Sequence, residues 1–148
     1  MYQKEFDKWN LQKKRLNQFN HERDFYYYER EVWWCALGVN IGIETDGKHE
    51  YFERPVLILK RFNNSMLWAL PLTSEAHDDG FHFCIQLEGK ISWVKLTQLK
   101  TIDVKRLLRK IGTVDIQDFE VIQSMLCGYI KRNPPLWRES RRPKPIIN

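Results

Sequence analysis

Two short apolar runs separated by a pair of asparagines constrain this chain more than any other feature. Residues 56–59 and 66–72 flank Asn63-Asn64, a pattern that reads as two strands of one hairpin. The first run opens on Arg54-Pro55 and the second closes on Thr73-Ser74. Counting outward from the turn, a two-residue loop sets Phe62 opposite Ser65 and Arg54 opposite Thr73, whereas a three-residue loop sets Arg54 opposite Ser74. Both registers bring a guanidinium beside a hydroxyl, because directly opposed residues share a face with Cβ atoms roughly 5 Å apart. A bulge would shift the count. Pro55 is tolerated at the start of a strand and pushes Arg54 toward extended geometry.

The rest of the chain divides in the same way. Residues 31–37, EVWWCAL, read as a first strand closed by the glycine punctuation of residues 38–42. Residues 38–53 are then a long polar loop between buried strands, with Asp46-Gly47 as a turn, and a loop of that length in a compact domain points to function. Residues 81–87 and 91–99 flank Glu88-Gly89-Lys90 as a second hairpin, and residues 110–114 make a last short strand. Asp115 is a good cap for a helix over 116–130, whose Phe119, Ile122, Leu126 and Tyr129 form one stripe. At the other end, Tyr2, Phe6, Trp9, Leu16 and Phe19 share a stripe of an amphipathic helix, suited to packing on the body or on a second subunit. Short strands with helices confined to the ends predict an α+β, mainly β chain, a small and strongly bent barrel. The expected units are an N-terminal helical extension (1–24), the barrel with its terminal helix (25–130) and a basic, proline-rich tail (131–148).

The net charge of +5 invites a nucleic-acid partner, but residues 131–148 alone contain six basic residues and one acid, which leaves 18 of each in the remainder. Any positive site must therefore be a local cluster. The tail, with Trp137, reads as a flexible end ahead of an RNA-clinging arm. No run approaches the roughly 20 apolar residues of a membrane span and the N-terminus has no secretory pattern, so a cytoplasmic protein is expected. Cys35, Cys84 and Cys127 sit in apolar patterns without CxxC-like spacing and read as buried free thiols. Neither a cofactor nor a metal is expected.

The succession EVWWCALG, GIETDG, ERPVLIL, LPLTS, LTQLKTID and RKIGTVD, followed by a helix, resembles the MazF/PemK (Kid) family of toxin endoribonucleases over about residues 29–130. The most specific marks are Arg54-Pro55 and Leu72-Thr73-Ser74, supported by Gln98 to Asp103 and Lys110-Ile111-Gly112. The resemblance implies an SH3-like (CcdB/PemK-type) barrel, a homodimer, metal-independent cleavage of single-stranded RNA such as mRNA, and a cognate antitoxin. It matches the catalytic arginine and threonine to Arg54 and Thr73, the adjacent hydroxyl to Ser74, the loop acid to Glu44 and a later lysine to Lys100. The chain departs from the family where KHEYFE separates Gly47 from Arg54 and where Glu53 precedes the arginine.

RNA carries its own nucleophile, so such an enzyme must orient the 2'-hydroxyl, accept its proton and steady the charged phosphorane. Arg54 suits the last task, since a guanidinium offers a planar fork of donors and keeps its charge. Its structural alternative is an ion pair with Glu53 or Glu50; for Thr73 and Ser74 it is strand-end capping. Glu44, His49, Glu50 and His77 remain open as general bases. RNA contacts are expected from Lys48, His49, Tyr51, Phe52, His77 and Lys100, with Tyr51 and Phe52 as stacking rings. Trp33, Trp34, Trp68 and Trp93 fit core or subunit contacts better. The alternative function is a non-catalytic protein on the same fold, binding gyrase as CcdB toxins do, or only antitoxin or RNA.

Overall fold

The structure, a computed structural model, describes residues 2–21 and 25–131. Helix α1 (Phe6–Gln18) precedes strands β1 (Glu31–Ala36), β2 (Glu53–Arg61), β3 (Met66–Thr73), β4 (His82–Leu87), β5 (Lys90–Lys95), β6 (Lys100–Asp103) and β7 (Leu107–Thr113), and helix α2 (Ile116–Lys131) closes the chain's described part. A short 3-10 turn, Val104–Arg106, links β6 to β7. The basic tail and Trp137 lie outside the described residues. Among the described residues no helix is long and apolar enough to cross a membrane.

The strands form one antiparallel sheet in the order β4-β5-β3-β2-β1-β7, with β6 off this path. The bend is made in β3, which pairs with β6 over Met66 to Ala69 and with β5 at Leu72 and Thr73. Pro71, which has no N–H to give a ladder, lies between the two paired segments, where its presence inside a central strand costs least.

The sheet is buried on both sides. Along β2, Val56 and Ile58 enter one apolar cluster with Trp33, Cys35, Leu67, Ala69 and Leu107, while Leu57 and Leu59 enter the other with Val32, Leu70, Val94, Phe119 and Ile122. Alternate side chains point to opposite faces, so double burial requires the unbroken apolar run seen in the sequence. Helix α2 covers the second cluster and starts at the expected cap, where Asp115 Oδ1 accepts from the backbone N–H of Gln117 at 2.9 Å. Residues 96–99, expected as the end of the strand 91–99, instead leave β5 and turn, and residues 100–103, to which the sequence assigned no strand, pair with β3 as β6.

Helix α1 contributes less to the core than its stripe promised. Trp9 is buried, but Tyr2, Phe6 and Phe19 are exposed. The indole of Trp9 packs on Ala36, Val39 and Phe52, with ring centroids 5.6 Å apart for Trp9 and Phe52. It occupies the place a side chain would take at Gly38, since a Cβ there would come within 2.2 Å of the ring, and Gly38 also has φ +84°. One aromatic plug therefore fastens α1 to the start of the long loop. The thiols do not all behave as expected: Cys35 is fully buried, which pushes its pKa up to about 12, and Cys84 is half-buried, but Cys127 lies on the solvent side of α2 and is exposed.

Two outcomes follow. Leu57→Ala removes a fully buried side chain and lowers stability by about 2–5 kcal/mol in urea unfolding, whereas Phe6→Ala, at a half-exposed ring, stays within about 0.5 kcal/mol. Gly38→Ala meets both the Trp9 ring and a strained backbone, so amide exchange across Phe6–Gln18 speeds up. Gly42→Ala strains a backbone of φ +54° but meets nothing within 4 Å, so it shares the strain without touching Trp9 and leaves that exchange unchanged.

Candidate functional site

The hairpin turn is a three-residue loop, Asn63 to Ser65, closed by Phe62 N–H donating to Met66 O at 3.1 Å. Asn63 Oδ1 holds it by accepting from the N–H groups of Ser65 and Met66 at 2.8 and 2.9 Å. That loop alone would set Arg54 opposite Ser74. A register shift between Ile58 and Lys60 restores the other alignment, and from Val56 to Ile58 the partners are Pro71, Leu70 and Ala69. Two residues further out this register sets Arg54 against Thr73. The two residues continue the face on which Val56, Ile58 and Ala69 are buried, where the apolar cluster gives way to polar groups.

Arg54 is half-buried and held by carbonyls. Its Nε donates to Asp46 O at 2.6 Å and its Nη1 to Leu72 O at 3.0 Å. Among the described residues it makes no ion pair and its Nη2 has no partner. Burial pushes its pKa down, with Asp46, Glu75 and Tyr2 pulling it back, and a guanidinium so placed stays charged at neutral pH. Glu53, next to it in sequence, is taken by Arg109 through two bonds of 3.2 and 2.9 Å, and Arg109 in turn lies over the Trp34 ring. Arg54 is thus a fixed cation whose charge is not cancelled by an adjacent carboxylate.

A cleft of about 250 Å³ is lined by Arg54, Thr73, Ser74, Lys48, His49 and Trp34, among others. Thr73 is nearly buried, and its Oγ1 accepts from the N–H of Glu75 at 3.2 Å, which leaves its own proton to donate. Ser74 is exposed. A larger cleft of about 720 Å³, which shares Arg54, Lys48 and His49 with the first, is bounded also by Tyr2, Lys8, Glu44 and Lys95. Burial lowers the Lys95 pKa, and Arg54 and Lys48 lower it further against the pull of Glu75 and Asp46, so these three cations lie close together in a cleft whose wall also carries Glu5, Glu44, Asp46 and Glu50.

The long loop is built rather than loose. Lys48 and Glu53 exchange two backbone hydrogen bonds of 2.8 and 3.0 Å, so that KHEYFE folds back as a hairpin tip at the head of β2. Gly47 lies under this tip, where a Cβ would come within 1.8 Å of Phe52 O. Asp46 is the hub: its Oδ1 accepts from Asn40 N–H at 2.6 Å, and its Oδ2 lies 3.2 Å from Lys4 Nζ and 3.4 Å from the Tyr2 hydroxyl. Its carbonyl holds Arg54. Gln98 clamps the loop from outside, accepting from Thr45 N–H at 3.1 Å and donating to Ile43 O at 3.1 Å. Tyr2, Lys4, Asp46 and Lys95 carried no site signal in the sequence; Asp46 read only as a turn residue.

The other expected residues are dispersed. Glu44 lies on the rim of the larger cleft, where its Oε2 accepts from Ile41 N–H at 2.9 Å. Phe52 lines that cleft but is buried against Trp9, and Tyr51 stands exposed at the hairpin tip. Lys100 lies beneath the loop with its Nζ 3.5 Å from Asn40 Oδ1, and burial, followed by Arg106, lowers its pKa. His77 lines neither cleft and stacks on His82.

Comparisons with known proteins bear on the fold. The MazF of Deinococcus radiodurans superposes with a TM-score of 0.63 at 17% identity, over 74% of this chain and 100% of that one. An endoribonuclease from a mycobacterial species gives 0.55 at 16% identity over 74% and 95%, and a mycobacterial endoribonuclease solved with its cognate antitoxin gives 0.53 at 16% over 71% and 95%. At such identities the likeness is one of fold. No curated protein sequence matches the chain. Residues 28–130, more than half of the chain, match the family described as PemK-like, MazF-like toxins of type II toxin–antitoxin systems, and the protein belongs to that family.

Proposed function

We propose that this protein is a toxin endoribonuclease that cuts single-stranded RNA at short sequences without a metal, by attack of the 2'-hydroxyl on the adjacent phosphate. As the bond from the 2'-oxygen to phosphorus forms, the bond from phosphorus to the 5'-oxygen breaks and that oxygen takes a proton from solvent, so the products are a 2',3'-cyclic phosphate and a 5'-hydroxyl. The observation that carries this reading is that Arg54, Thr73 and Ser74 line one open cleft, with the arginine already oriented by two carbonyls. It acts in the cytoplasm as a homodimer and is held in check by a cognate antitoxin, as family membership and the antitoxin-bound relative lead one to expect.

In the reaction the phosphorane gathers negative charge on its non-bridging oxygens. Arg54 meets that charge with a donor that needs no reorganisation, because Asp46 O and Leu72 O hold the guanidinium plane before substrate arrives. Thr73 donates its free proton to a phosphate oxygen or to the 2'-hydroxyl, and Ser74 is exposed beside it for the same task. Of the four candidate bases, His49 is the one that lines the same cleft as Arg54 and Thr73, and we assign it the proton of the 2'-hydroxyl. Lys48 and Lys95 draw in the flanking phosphates. The extra length of KHEYFE has a use here, since it brings Lys48 and His49 to the cleft and raises Tyr51 at its tip for stacking on a base.

Incubated with a mixed RNA pool in EDTA, the protein is expected to yield discrete fragments ending in cyclic phosphate. Arg54→Ala lowers kcat by on the order of 100-fold to 1000-fold, and Arg54→Lys does not restore it, because a point charge cannot reproduce the fork. Fragments that persist at full rate in Arg54→Ala, or that vanish on chelation, overturn the mechanism. His49→Gln lowers kcat by at least about 100-fold, the low end of what a positioned general base contributes. A rate left unchanged moves the base elsewhere.

A further inference from the structure

Outside both clefts, the segment from β3 to β4 gathers two histidines and an aspartate within six residues, and nothing in the proposed chemistry uses them. The Nδ1 atoms of His82 and His77 lie 2.8 and 3.9 Å from the two oxygens of Asp79, and the three ligand atoms available to an ion are all within 4.8 Å of one another. The imidazoles stack face to face, 3.8 Å between centroids and 4° between planes. His82 is largely buried and its Nε2 has no hydrogen-bond partner, whereas His77 and Asp79 are each about a third open to solvent.

We propose that His77, Asp79 and His82 form a binding site for a divalent transition ion of the zinc class. Two imidazoles and a carboxylate are a donor set suited to such ions. A tetrahedral zinc, with bonds of about 2.0–2.2 Å, needs neighbouring ligand atoms about 3.4 Å apart. The observed 2.8 and 3.9 Å bracket that spacing, so a small opening at His82 and a tilt of the more exposed His77 ring complete the site. The two rings are parallel, so their in-plane lone pairs lie in parallel planes, and it is the tilt of His77 that turns both nitrogens toward one ion. An open edge at His77 and Asp79 admits the ion and leaves a fourth position for water.

The ion's role is to tie down a loop. His82 is the first residue of β4, Gly80 O already accepts from the Tyr129 hydroxyl of α2, and Glu75, at the loop's start, holds Thr73 Oγ1. Metal binding would cross-link His77 to the sheet through Asp79, whose Oδ1 already accepts from the N–H of Phe81 at 2.8 Å. Since neither histidine lines the clefts, the ion takes no part in bond cleavage, and the site stands or falls apart from the nuclease reading.

The test uses tag-free, chelator-stripped full-length protein titrated with Co2+ and then Zn2+. One equivalent of Co2+ is expected to give the intense visible bands of four-coordinate cobalt, displaced by Zn2+, and Zn2+ to raise the Tm. His77→Ala and His82→Gln each weaken binding by more than about 100-fold, the upper end of the loss from removing a mere outer-shell partner. His21→Gln, at a ring engaged with Val104 O and Phe25, leaves it intact. His77→Ala changes a partly exposed side chain, so its folding, read by circular dichroism, separates lost ligation from lost structure. Weak six-coordinate cobalt bands, or binding equal in wild type and His77→Ala, overturn the proposal.

Discussion

Double burial of the β2–β3 hairpin is the constraint on which everything else rests. Val56 and Ile58 belong to one apolar cluster, Leu57 and Leu59 to the other, so a slip of one residue would exchange the two sets and expose or overfill both clusters at once. The same slip would turn Arg54 away from Thr73. The alignment of the site is therefore enforced by the packing of residues that do no chemistry, and its precision reflects the close packing of the two clusters rather than any contact between Arg54 and Thr73. The register shift between Ile58 and Lys60 belongs to this economy: it lets a three-residue turn coexist with the alignment that the core demands.

The second organising element is Asp46. A loop of sixteen residues would be mobile if only its ends were held, but here its backbone is fastened at Gly38 by the Trp9 plug, at Thr45 and Ile43 by Gln98, and at Asn40 by the Asp46 carboxylate. Because the Asp46 carbonyl accepts from Arg54 while its carboxylate receives Lys4 and Tyr2, the N-terminal segment reaches the site through one residue. Residues 2–8 also wall the larger cleft, although they lie outside the part of the chain that matches the family. The exposed pairs Lys8–Glu5 and Lys60–Glu29 have no comparable leverage, since solvent screens them.

The electrostatics follow the same division between surface and site. With charges balanced over residues 1–130, affinity for a polyanion cannot come from a general field. Under the proposed function it comes from Lys48, Arg54 and Lys95 in one concavity, where partial burial of Arg54 and Lys95 strengthens the interaction and Arg109 draws Glu53 away from Arg54.

The sequence by itself determined most of the strands, the Asp115 cap, and the approach of Arg54 to a hydroxyl, because these depend on periodicities of two and 3.6 and on residue types with strong local preferences. The family resemblance, too, was legible from short motifs in order along the chain. It did not determine which hydroxyl, since turn and bulge offset each other at a distance, nor that residues 96–103 turn back onto β3. Only the tertiary structure decided that Glu53 would serve Arg109, that Phe52 would be covered by Trp9 while Tyr51 stayed open, and that His77 would leave the site for His82. Each of these is a choice among partners brought together from distant parts of the chain, and such choices are settled by packing and desolvation in three dimensions, which no local pattern records.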